Sequence, residues 1–200
     1  MSVWMVRGGS EGETEALSLD HNLSIIGWDD LPDLSQFNDK RQLYDLMNEK
    51  YSGSPSMRLH VWAAQIWAFV KGIQNGDTII LPLKTRRAIA VGKVTGSYTY
   101  RTDLGELVRH TRPVKWLKTD IPRNQFDPEI LRSTLQAAMT VCKVQIDQAE
   151  QRIARTLDSA VPDAFKGPSV EPDVDVIPPT DVEQLATDQI VEFISQRFRE

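Results

Sequence analysis

Two hundred residues, 40% of them apolar, are enough for one domain of about 150 residues plus an appendage. No apolar run reaches the length of about 18 residues that a membrane span needs, and the opening MSVWMVRGGSEGE carries no long apolar segment of the export type, so a cytoplasmic protein is expected. Cys142 is the only cysteine and the three histidines, His21, His60 and His110, are scattered; no internal disulfide can form, and neither a metal nor another cofactor is expected. The formal net charge of −5 hides a division along the chain. Residues 84–123 hold ten Lys/Arg against three Asp/Glu, whereas residues 158–200 hold three against ten. The middle of the chain is therefore a basic block of the kind that can follow a phosphate backbone, although such runs also occur as plain solvated surface.

Taken in order, Val3 to Val6 is a short apolar run that predicts a first strand, and the Gly- and Glu-rich stretch after Arg7 predicts a mobile loop. Leu23 to Trp28 predicts a second strand, closed by the acidic segment Asp29 to Asp33. Asn38 is read as the cap of a helix from about Asp39 to Lys50. Ser54-Pro55 opens another helix running to about Ile73, on which Trp62, Ile66, Phe69 and Ile73 fall on one inward stripe while Trp67 lies on the flank.

The centre of the chain is Gly76 to Tyr100. Thr78 to Leu83 and Ala88 to Val94 are β-branched runs joined by a polar, basic tip, which predicts a hairpin; Pro82 suits a strand end. Tyr98 and Tyr100 then alternate with small or polar residues and share one face. Leu107 to Leu117 predicts a further strand, bent or at an edge because of Pro113. A short helix is expected from Asp127-Pro128 to Gln136, a last strand over Met139 to Val144, and a helix from Asp147 to about Leu157. Residues 158–179, with five prolines from Ser159 on, read as a Pro-rich acidic linker, and residues 180–200 as the start of an amphipathic helix belonging to another unit.

No catalytic constellation is present: the chain lacks a GxSxG, a GxxxxGK[ST], an HxE with a downstream CxxC, and a Glu-x-Lys nuclease pair. Its unusual content is aromatic. Trp4, Trp28, Tyr98, Tyr100 and Trp116 stand at strand ends beside glycines and basic residues, where they can stack a base.

VWMVRGG, SIIGW, WAAQIWAFV, GDTIILPL, AIAVGKVTGSYTY and HTRPVKW followed by IPRNQF together resemble the N-terminal PUA-like, EVE-type domain that precedes the catalytic domain in some Mrr-type modification-dependent restriction endonucleases. The resemblance covers residues 1–157 apart from the extreme N-terminus, and DVEQLATDQIVEFISQRF resembles the lead-in helix of the Mrr-type nuclease domain. It implies an α+β fold, a small, strongly curved β-barrel with flanking helices. It also implies that duplex DNA is the partner and that a modified base, 5-methyl- or 5-hydroxymethylcytosine, is flipped into an aromatic pocket, the nuclease and any homodimer contact lying beyond residue 200. On this reading Trp28, Tyr98 and Tyr100 form the stacking walls, Trp4 and Trp116 shape the cavity, and Asp30 or Asp29 accepts a hydrogen bond from an exocyclic amine. Arg86, Arg87, Lys93, Arg101, Arg109, Arg112 and Lys115 then hold the backbone. A modified-RNA reader and a protein-interaction module built on helix 181–199 remain alternative readings.

Overall fold

The β-branched run Val3–Val6 forms strand β1 and Leu23–Ile26 forms β2, with helix α1 (Glu15–Asp20) between them. The computed structural model describes residues 1–105 and 108–159, which lie in one compact unit, Met1–Ala160. The linker expected from residue 158 and the helix expected over 180–200 fall outside the described residues, apart from the last two residues of the final helix. Helix α2 (Lys40–Lys50) and helix α3 (Ser56–Trp67) follow β2, and α3 continues as a wide π-type turn, Ala68–Gly72. Then come β3 (Thr78–Pro82), β4 (Ala88–Val94), the two-residue β5 (Thr99–Tyr100), and the long β6 (His110–Pro122). Helix α4 (Pro128–Leu135), β7 (Val141–Lys143) and helix α5 (Ala149–Ser159) complete the unit.

The strands form one strongly curled, half-barrel sheet in the order β2-β6-β4-β3-β1-β7, with β5 also paired to β6. Only β1 and β3 run parallel among the described pairs. The curl has a visible source: the β4–β6 register slips between Ile89 and Val91 and again between Val91 and Gly92, and such irregularities bend a strand and increase its twist.

Both faces of the sheet are covered, which is why its strands read as unbroken apolar runs rather than as alternations. In β1, Trp4 and Val6 join the core under α2 and α3, while Val3 and Met5 join a second core with Ile130 of α4 and Ile153 of α5. Adjacent Ile79 and Ile80 of β3 divide the same way.

Several local expectations change. The Gly-rich stretch after Arg7 is not merely a loop: it contains α1, held because the Glu15 carboxylate, 2% exposed, accepts from the Lys84 and Thr85 amides (2.6 and 3.3 Å) and from Thr85 Oγ1 (2.6 Å). The cap of α2 is Asp39 rather than Asn38; its side chain accepts from the Arg41 amide while Gln42 reaches back, a reciprocal capping box. Pro113 is not on an edge. It lies in a strand flanked on both sides, at the point where β4 pairing ends at Val114 and β5 pairing begins at Thr111. Because the Val114 amide points to β2, the missing Pro113 N–H falls in the gap between β4 and β5, where no ladder bond is lost.

Candidate functional site

β2 ends at Ile26, and the chain turns out of the sheet through Gly27 and Trp28. Trp28 has a φ of 67°, in the left-handed region that bulky side chains rarely adopt. Two donors hold its carbonyl there: the Leu31 amide at 2.9 Å and His110 Nε2 at 3.1 Å. A carbonyl can only accept, so Nε2 carries the proton and Nδ1 is the acceptor of a neutral ring. Tyr98 Oη, 2.8 Å from Nδ1, must then donate to it, and its own lone pair accepts from the Leu34 amide at 3.3 Å. The chain from Leu34 through Tyr98 and His110 to Trp28 thus has every donor and acceptor assigned. Tyr98 stacks nearly parallel to the fully buried imidazole and Tyr100 meets it edge-on, at ring-centre distances of 5.9 and 5.5 Å.

Outside this support the aromatics continue toward solvent. The half-buried Trp28 indole meets Trp62 edge-on at 6.3 Å, Trp62 meets Tyr51 edge-on at 5.7 Å, and the Arg58 guanidinium lies over Trp62 at 5.9 Å. The Tyr51 hydroxyl donates to Asp30 at 2.5 Å, and Lys50 stands 3.7 Å from the same carboxylate. Asp29 accepts from the Arg109 amide at 3.2 Å; burial raises its pKa, with that hydrogen bond working against the shift.

The structure therefore brings Trp28, Tyr98, Tyr100 and Asp30 into one neighbourhood and leaves two of the expected residues elsewhere. Trp4 is 8% exposed, with its indole N–H donating to Asp77 at 3.0 Å, and it packs inside the core as part of β1. Trp116 lies six residues along β6 from His110, about 20 Å in an extended strand, and its indole N–H donates to the Ser18 carbonyl at 2.9 Å. It packs against the Leu81, Leu83, Ala88 and Ala90 cluster and against the main core. Three residues of the site were not singled out from sequence for it: His110, Trp62 and Tyr51. Trp62 was placed on the core stripe of α3, and it does touch the core, but its other side is the one that meets Trp28.

The basic block disperses on folding. Arg112 is 4% exposed and is not a surface phosphate contact. Its Nε donates to the Phe69 carbonyl (2.5 Å), one Nη to Val70 (2.8 Å) and the other to Gly96 (3.2 Å), so it closes the open carbonyl end of α3. Lys93 is partly exposed but already engaged, with Glu150 and Thr78 Oγ1 both at 2.8 Å. On the surface, Arg86 pairs with Asp120 at 3.4 Å and Arg101 forms a fork with Asp103. Arg87 shares the exposed hairpin tip with Arg86, Arg109 adjoins Asp29, and Lys115 is exposed without an ion pair among the described residues.

His110 makes a pH prediction. Burial pushes its pKa down to about 4, the hydrogen bond to the Trp28 carbonyl opposing the shift. An unfolded imidazole takes its proton near 6.5, so as pH falls from 6.5 toward 4 the unfolded state binds a proton that the folded state refuses, and stability drops. The loss between pH 7 and pH 5 is about 2 kcal/mol from this group. Thermal melts of wild type and His110→Gln across that interval check it; the part of the pH dependence that the variant lacks is the His110 contribution.

Two comparisons bear on the site. A family model described as "Domain of unknown function (DUF8426)" matches residues 4–143, a span that includes every aromatic residue of the site. No curated protein matches the chain.

Proposed function

The chain belongs to the DUF8426 family, and we propose that it recognises a modified base in nucleic acid, with Trp28 as the principal stacking surface. The observation that carries this reading is the strained Trp28 backbone held open by a fully buried histidine. Strain that a fold maintains with a dedicated polar chain is characteristic of ligand-binding positions. The neighbouring Asp30 supplies an acceptor for an exocyclic amine such as cytosine N4, and Trp62 and Tyr51 supply further aromatic surface. The curled half-barrel with helices on both faces is compatible with a PUA-like, EVE-type fold, and the partner favoured is DNA carrying 5-methyl- or 5-hydroxymethylcytosine. In this role the unit is the specificity part of a modification-dependent restriction endonuclease.

The energies define how such a unit works. Extruding a base costs a few kcal/mol and stacking returns about 1–3 kcal/mol, so net affinity comes from backbone contacts. With Arg112 buried and Lys93, Arg86 and Arg101 paired, about one or two phosphates are neutralised, giving a log–log salt slope of about −1 to −2 rather than the value near −6 expected of seven free cations. Binding by this unit alone is therefore weak and salt-dependent, and its preference for a modified base is expressed at low ionic strength, where the backbone contacts hold the duplex.

The test is Trp28→Ala, measured for binding to duplexes with cytosine, 5-methylcytosine or 5-hydroxymethylcytosine and to single-stranded RNA, with the melting temperature taken on the same samples. The expected result is a folded variant whose modified-to-unmodified affinity ratio falls to about one while its weak unmodified binding persists. A wild type with no preference for any modified DNA over unmodified DNA or RNA overturns the proposal, as does a folded variant that keeps the wild-type ratio.

A further inference from the structure

Beside Tyr98, a cavity of about 380 Å³ is lined by the π-type turn after α3 and by Ser97 next to Gly96, and Trp28 is not among its lining residues. Its lining includes Ser35, Lys71, Asn75, Ser97, Tyr98 and Arg112, with no carboxylate among the described residues that line it. Arg112 is the decisive group. It is a buried cation that forms no ion pair among the described residues, an arrangement that proteins normally avoid because desolvating an uncompensated charge costs several kcal/mol. The acid that acts on it through space, Asp77, is already committed to the Ser2 and Gln74 amides and the Trp4 indole. Burial lowers the guanidinium to about 10, which still leaves it charged at neutral pH.

Three of the five Arg112 N–H groups reach backbone carbonyls, and two remain. Lys71 adds a second cation at the rim, steadied by the Ser35 carbonyl at 2.9 Å and by the Trp67 ring. The exposed side chains of Ser35, Asn75 and Ser97 make no hydrogen bond to protein among the described residues, so their donors are open to a ligand at the same opening. Asp33, the acid that acts on Tyr98, is occupied by the Ser35 amide at 2.9 Å, so two cations with open hydroxyl and amide donors describe a receptor for an oxyanion with several acceptor oxygens. The volume exceeds that of the anion alone and falls in the range of small-molecule sites.

We propose that the cavity between Lys71, Asn75, Ser97 and Arg112 binds the phosphate group of a nucleotide. The residues concerned are distinct from the stacking surface, so this site and the reading of Trp28 can fail separately.

The full chain, labelled with nitrogen-15 at low ionic strength, is titrated with inorganic phosphate, with a nucleoside 5′-monophosphate, and with a dinucleotide bearing only an internal phosphodiester; sodium chloride of matched ionic strength is the control. At least one phosphate probe is expected to give saturable amide shifts centred on Lys71, Gln74, Asn75 and Ser97, which chloride does not reproduce. Tightest binding by the monophosphate assigns a free nucleotide, by the dinucleotide a nucleic-acid backbone, and equal binding of all three a bare phosphate group. Because Arg112 also closes α3, the variants are Lys71→Glu and, independently, Ser97→Asp. Each places a carboxylate beside the anion and is expected to weaken binding at least about tenfold. Trp28→Ala is expected to leave these shifts unchanged. Shifts that fail to saturate, that match chloride, or that survive undiminished in both variants overturn the proposal.

Discussion

Arg112→Leu is expected to melt about 8–16 °C below wild type, a loss of about 4 kcal/mol in a unit of this size. The substitution leaves the Phe69, Val70 and Gly96 carbonyls without their donors, and each such group costs about 1–3 kcal/mol when it stays buried. Two effects reduce the sum. Removing a buried cation that lacks a counter-ion relieves its own desolvation, and water entering the neighbouring cavity can reach part of the freed helix end. Arg112→Lys is expected to recover less than half of the loss, because one ammonium cannot address three carbonyls in the plane of a guanidinium fork. Calorimetry on the three proteins checks the order. A Leu variant within about 1 kcal/mol of wild type means that the three bonds add little to the desolvation that they offset.

Gly92→Ala is expected to cost about 3 kcal/mol and to lower expression as folded protein. A Cβ at this position would stand 2.5 Å from Val114 Cγ1, 2.8 Å from Trp116 Cε3 and 2.9 Å from the Lys115 carbonyl oxygen. The last is backbone of the paired strand and cannot rotate away, so β4 and β6 must part where the register slips and the sheet bends. Gly27→Ala is the control. Nothing lies within 4 Å of a Cβ there, and this variant is expected to match wild type within about 0.5 kcal/mol, even though Gly27 immediately precedes Trp28. Equal melting temperatures for the two alanine variants would show that the close approach at Gly92 relaxes without consequence.

How far the sequence reaches is clear from particular elements. Val3–Val6, Thr78–Pro82 and Ala88–Val94 were legible as strands, and Asp127-Pro128 as a helix start, because β-branched runs, turn glycines and caps act within a few residues of themselves. Trp28 and the pair Tyr98 and Tyr100 were legible as a shared neighbourhood for the same reason: a strand end and a two-residue repeat fix where a side chain starts and which side it takes. α1 is not legible because six residues are too few to form a helix alone, even with good helix formers such as Glu15, Ala16 and Leu17, and it is secured by Glu15 reaching the turn around Lys84, far away in sequence.

The charges show the limit most plainly. Arg109 and Arg112 look alike in the run RHTRPVK, yet Arg112 lies under α3 and answers its open carbonyls, while the Arg109 amide is drawn to Asp29 at the rim. Alternation along a strand gives the parity of a side chain but does not say which face another helix will cover. The same holds for His110, whose position in the sequence carries no sign that one ring will join Tyr98 to the Trp28 carbonyl. Local propensity determined the β-branched strands, the Asp127-Pro128 helix start and the aromatic strand end of this protein. Only tertiary packing decided which basic residues face solvent, which tryptophans form the core, and which buried histidine holds Trp28 in place, because burial and hydrogen bonding between distant residues depend on what the curled sheet places side by side.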